Sequence, residues 1–108
     1  MLIIVNKYLI GRHFAGIVLW PFIVIKDSTL KEDEIFINHE KIHLRQQVEL
    51  LVVPFYILYL SEYLIRWVQY RNSDKAYRNI SFEREAYCNE HDLSYLKNRK
   101  TWSFIKYL

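Results

Sequence analysis

The sequence predicts an α+β fold, mostly helical, with a short N-terminal β element packed on three to four helices in a single compact domain spanning residues 1–108. Three observations predict it. The first 26 positions are crowded with Ile, Val, Leu, Phe and Trp in short runs broken by Gly11 and Gly16, a pattern of strands. From residue 34 onward apolar residues recur at helical spacing. Gly and Pro number only two each, so connections are short. A chain of 108 residues, 52% hydrophobic, can bury one modest core.

Residues 1–10 and 15–26 read as two strands, a hairpin or edge pair. Trp20-Pro21 sits at a bulge or edge, because proline cannot donate to a ladder. Residues 27–34, "DSTLKEDE", form a polar turn in which Asp33 can cap the helix that follows. That helix spans 34–53, with Ile35, Ile42, Leu44, Val48, Leu50 and Leu51 at compatible spacing. Pro54 either ends it or opens the next helix, 55–71. There Glu62, Arg66 and Gln69 make one polar stripe on an otherwise apolar cylinder. "RNSDKAYRN" reads as a turn region. A last long helix runs over 81–97, and a short one over 101–107.

The net charge is +3, and Lys97, Arg99, Lys100 and Lys106 cluster after the last acidic residue, Asp92. No nucleic-acid motif accompanies the cluster, so it reads as a solvated helix end and no nucleic acid is expected as partner. The lone Cys88 cannot form an internal disulfide; it reads as a buried small hydrophobe in a reducing, cytoplasmic setting. The N-terminus lacks a basic n-region and a cleavage site, so a signal peptide is not expected. The stretch 50–68, "LLVVPFYILYLSEYLIRWV", is broken by Pro54, Glu62 and Arg66, short of the roughly 20 apolar residues that a span requires. It reads first as a buried helix and second as one lying on a membrane. Its aromatics, Tyr59 among them, read as core or as an interfacial belt.

Within "INHEKIHLRQQVELL" (37–51), His39 and His43 stand four apart and project from one helix face, one turn from each other. Two imidazoles so placed can reach one ion at about 2.0–2.1 Å. Glu40 is rotated about 100° from His39, poor for a third ligand but suited to act as a general base on a water. A third protein ligand is needed, and "SFEREAYCNEHD" (81–92) offers Glu83 or Glu85. Two residues apart, they point to different sides, so only one can serve. His91 lies two turns beyond Glu83, and neither it nor His13 is expected to be a ligand.

"HEKIH" followed 40 residues later by "EREAY" resembles the gluzincins, zinc metallopeptidases with an H-E-x-x-H helix and a glutamate ligand from a later helix. It also resembles small bacterial H-E-x-x-H-x-x-Q-Q domains. The resemblance covers roughly residues 35–95 and implies a compact zincin-like domain. Matched to the family's E-x-x-A-D motif, it implies Glu83 as the third ligand beside His39 and His43, with Glu40 catalytic and Glu85 the alternative. Tyr87 stands where the family has an aspartate that orients a ligand histidine. Gln46 and Gln47 are candidates to hydrogen-bond the imidazoles, and Tyr77 or Arg78 to stabilise an oxyanion.

The expected function is zinc-dependent hydrolysis of a peptide or protein substrate, laid along 15–26 as an edge strand. Peptide as substrate is implied by the resemblance alone. The rival expectations are a metal-binding structural or regulatory module without turnover, and a protein in peripheral contact with a membrane. Imidazole and carboxylate ligands suit several divalent ions besides Zn2+.

Overall fold

A computed structural model describes residues 2–6 and 15–108. The fold is α+β and mostly helical; among the described residues a three-stranded sheet stands beside five helices. The strands are β1 (Leu2–Val5), β2 (Gly16–Leu19) and β3 (Phe22–Ile25), in the order β1-β3-β2. β1 runs parallel to β3, pairing Leu2 with Phe22 and Val5 with Ile25. β2 runs antiparallel to β3, pairing Gly16 with Ile25 and Leu19 with Phe22.

This corrects the two-strand expectation. The stretch 15–26 is itself a hairpin folded at Trp20-Pro21, and the first strand joins its far edge. Pro21 has a fixed φ and no N–H, so it breaks the ladder. The uniformly apolar run concealed that break. Positions 7–14, including His13 and the remainder of the first predicted strand, lie outside the described residues.

A 3-10 turn, Ser28–Glu32, leads into α1 (Glu34–Glu49), whose N-cap Asp33 accepts from Phe36 N at 3.0 Å. α1 ends four residues before its predicted limit. Pro54 would clash with a carbonyl of the preceding turn in a continuous helix, so the chain bends and proline opens α2 (Val53–Tyr70) instead. The two axes meet at 114°.

α3 (Ser73–Arg78) lies where a turn was expected; Asn72 caps it by accepting from Asp74 N and Lys75 N. Six residues are too few for a periodic signal. α4 (Ser81–Asn89) stops well short of residue 97, and α5 (Tyr95–Asn98) follows a separate turn in which Asp92 accepts from Ser94 N. The terminal segment forms a 3-10 turn, Ser103–Tyr107.

Two apolar clusters hold these elements. Val18, Ile23 and Ile25 pack with Leu30, Phe36 and Leu44, fixing the sheet to α1. Phe55, Ile80, Phe82 and Phe104 join α2, α4 and the C-terminal turn. Gly16 marks the close approach of β2 to α1: a Cβ there would lie 2.7 Å from Phe36 Cζ and 3.6 Å from Glu40 Oε1. The fold thus presses one strand and the first turn of α4 against the histidine face of α1.

Candidate metal centre

His39, Glu40 and His43 are all buried on α1, the two histidines facing α4 and Glu40 lying beside Gly16 of β2. Glu83, in the first turn of α4, reaches across. Its Oε1 lies 3.3 Å from His39 Nε2 and 3.1 Å from His43 Nε2, and the two Nε2 atoms are 3.1 Å apart. Three donors thus converge from two helices. Donors at about 2.0–2.1 Å from one tetrahedral ion stand roughly 3.3 Å from each other, so the spacing fits a zinc-sized ion. Among the described residues this is the group of histidines and carboxylates close enough to share a metal.

Neighbouring residues set the direction of each donor. Gln46 Nε2 donates to Phe82 O and to Glu85 Oε1, which turns its Oε1 to accept from His43 Nδ1 at 2.9 Å. His39 Nδ1 donates to Glu90 Oε2, also at 2.9 Å. Both imidazoles therefore direct Nε2 at Glu83. The second oxygen of Glu83 accepts from Tyr59 on α2 at 2.8 Å.

Nothing in the spacing of the motifs points to Glu90. It lies just beyond α4, in a turn held by Asn38. That amide donates to Glu90 O (2.9 Å), at the end of α4, and to Asp92 O (3.0 Å), which also accepts from Tyr95 N. Tyr87, the expected partner of a ligand histidine, instead stands edge-on to the His39 ring with centroids 4.6 Å apart, and its hydroxyl is hydrogen-bonded to that of Tyr77. Gln47 faces away from the histidines. It accepts from Trp20 N and donates to Val18 O and Tyr56 Oη, tying β2 to α1. Glu85 points to the opposite side of α4, bound by Arg99, Tyr95 and Gln46. His91 is exposed outside the site, and Cys88 is exposed rather than buried.

Replacing Glu90 with Gln keeps the shape and removes the charge behind His39. Metal affinity is expected to fall roughly 10–100-fold with the fold intact, measured by competition with a fluorescent zinc chelator.

Burial alone would lower the His43 pKa, but the adjacent Glu83 carboxylate overrides it and lifts it to about 9. Burial likewise pushes Glu83 up, yet the two histidines hold it well below the usual carboxylate range. Without metal, the site holds a proton between His43 and Glu83. The His43 contribution to stability is complete below its unfolded pKa of 6.5 and is lost as pH rises through about 9. The Glu83 contribution is present above 4.5 and lost as pH falls. The metal-free protein is therefore expected to melt at progressively lower temperature from pH 6.5 to 9, and His43→Gln to flatten that decline. Zinc affinity is expected to rise over the same interval, because each ion displaces the His43 proton.

A cleft of about 570 Å³ opens on His39 and Glu40, walled by Gly16 of β2 and by Tyr77 and Arg78 of α3. That volume suits a small ligand or a short peptide segment. Glu40 is 7% exposed and its pKa is raised, by burial first and by Glu83 and Glu90, against the lowering effect of the histidines. Arg78 lies 5.2 Å over the Tyr87 ring at the rim.

In comparisons with known proteins, the chain matches no family model, no curated protein and no solved structure.

Proposed function

We propose that this protein is a zinc-dependent hydrolase acting on peptide bonds. His39, His43 and Glu83 would hold the ion, and Glu40 would serve as general base. The observation that carries the reading is the convergence of three buried donors, His39, His43 and Glu83, beside a second carboxylate, Glu40, which lines a cleft together with His39. A bound divalent ion would acidify water and polarise a carbonyl. Glu40, its proton affinity raised by burial, would take a proton from the attacking water and return it to the leaving amine. Tyr77 and Arg78 line the same cleft, and the Arg78 guanidinium would supply the positive charge for a developing oxyanion. The exposed lone thiol, Cys88, is compatible with a reducing, cytoplasmic setting.

A second reading, a metal-binding module without turnover, is favoured by the state of β2. Its outward edge would pair with an extended substrate, yet Val18 O and Trp20 N are already taken by Gln47 and Tyr56. Gly16 is the remaining outward position of that strand beside Glu40. Zinc-loaded protein incubated with unstructured peptides and followed by mass spectrometry decides between the two. Cleavage that stops on chelation and returns with zinc is the expected result. Intact peptides in the presence of stoichiometric zinc would favour the module.

A further inference from the structure

α2 presents its apolar side to solvent. Of its 18 residues only Phe55 is buried. Val53, Ile57, Leu60, Leu64 and Val68 recur at spacings of four and three and are 67%, 61%, 58%, 51% and 70% exposed. They form one stripe along the helix. Its flanking polar residue, Ser61, donates back to Ile57 O at 2.7 Å, so it leaves no hydroxyl seeking a partner. The charged residues of α2 are engaged elsewhere: Glu62 accepts from Ser81 N and Oγ at the start of α4, and Arg66 donates to Gln69. A surface helix in water normally shows the reverse pattern, and continuous exposed apolar stripes mark contact sites.

The ends of the stripe show what covers it. Trp67 and Tyr70 are exposed at the C-terminal end. At the other end Leu51 is exposed, and so is Trp102, whose backbone and indole N–H groups are held by Glu49. Aromatic rings at both ends of an apolar stripe suit the headgroup level of a bilayer. Charge follows the same plan. From residue 35 to 73 the acidic residues are Glu40, Glu49 and Glu62, none of them exposed, while Lys41, Arg45 and Arg71 are exposed. Lys100 and Lys106, also exposed, flank Trp102. The exposed acid next along the chain from α2, Asp74, is paired with Arg78 at 4.0 Å, so a second copy docked through this stripe would bring cationic ends together with little free negative charge to meet them.

We infer that α2 and the α1–α2 elbow dock on the surface of an anionic lipid bilayer. The helix lies flat, with its stripe at the acyl boundary and the lysines and arginines at the phosphates. Among the described residues no single helix is long and apolar enough to cross a membrane. α1 and α2 are so only together, across a 114° bend, and α1 buries its histidines against the rest of the fold, so the docking is peripheral. The inference does not depend on the metal.

Flotation of the full chain with phosphatidylcholine vesicles, with and without phosphatidylglycerol, tests it. Binding to the anionic vesicles is expected to exceed binding to neutral ones about tenfold and to weaken in high salt. Ile57→Glu/Leu64→Glu should abolish flotation while leaving the circular dichroism spectrum and zinc content unchanged. If that variant unfolds, Leu60→Ser/Val68→Ser gives the same readout with a milder change. Three results would overturn the inference: no flotation with anionic vesicles, equal flotation with neutral ones, or flotation that survives the folded variants. A monomer–dimer equilibrium abolished by the same substitutions, without flotation, would assign the stripe to a second copy.

Discussion

Arg99→Ala is expected to destabilise the fold by about 3–5 kcal/mol, because it leaves carboxylates buried without their counter-ion. The Arg99 and Glu85 side chains are both 0% exposed. The guanidinium forks between two acids, donating to Glu85 through Nε and Nη2 and to Glu49 through Nη1 at 2.6 Å. Tyr95 and Gln46 complete the shell of Glu85, at 2.6 and 2.9 Å. Small domains are stable by only about 5–15 kcal/mol, so urea denaturation should show a large part of the total lost. Arg99→Lys should recover only part, since a point charge cannot reproduce the fork. Replacing Arg99 and Glu85 together with apolar residues of similar volume should cost far less than either change alone. The loss also reaches the metal centre, because Gln46 links Glu85 to His43 Nδ1. Without that anchor the imidazole is held less firmly.

Glu40→Gln is expected to lower peptide cleavage roughly 10²–10⁴-fold, the usual contribution of a positioned base. Bound zinc should be unchanged, because Glu40 is not among the three converging donors. Stability provides an internal control. Burial raises the Glu40 pKa, so its ionised form disfavours folding at every pH above 4.5. The amide removes that penalty. The variant should therefore melt at the same temperature or higher while losing activity, which partial unfolding could not produce. Single-turnover rates alongside calorimetry at neutral pH would check both halves.

The helical periodicity after residue 34 made the α+β architecture legible. The H-E-x-x-H spacing marked one face of α1, and that face is the one turned towards Glu83. What the sequence hid is long-range pairing. Arg99 sits among lysines and reads as a solvated cation, yet it closes a buried ion network with a residue 50 positions earlier. Glu90 becomes the partner of His39 only because Asn38 captures the carbonyls at the end of α4. Tyr59 resembles every other aromatic of α2 until Glu83 is placed beside its hydroxyl. Gln46 and Gln47 were indistinguishable in one dimension. A helix rotation of about 100° sends one to a ligand histidine and the other to the sheet. The strands were hardest to divide, because an unbroken apolar run carries no alternation to locate its faces.

Whether His39, His43 and Glu83 hold a metal is decided by the zinc content of untagged protein after saturation and removal of excess ion, compared with His43→Ala and Glu83→Ala. One zinc per chain is expected in the parent, and its loss in both folded variants. A parent that retains no zinc, or variants that retain as much, would contradict the assignment.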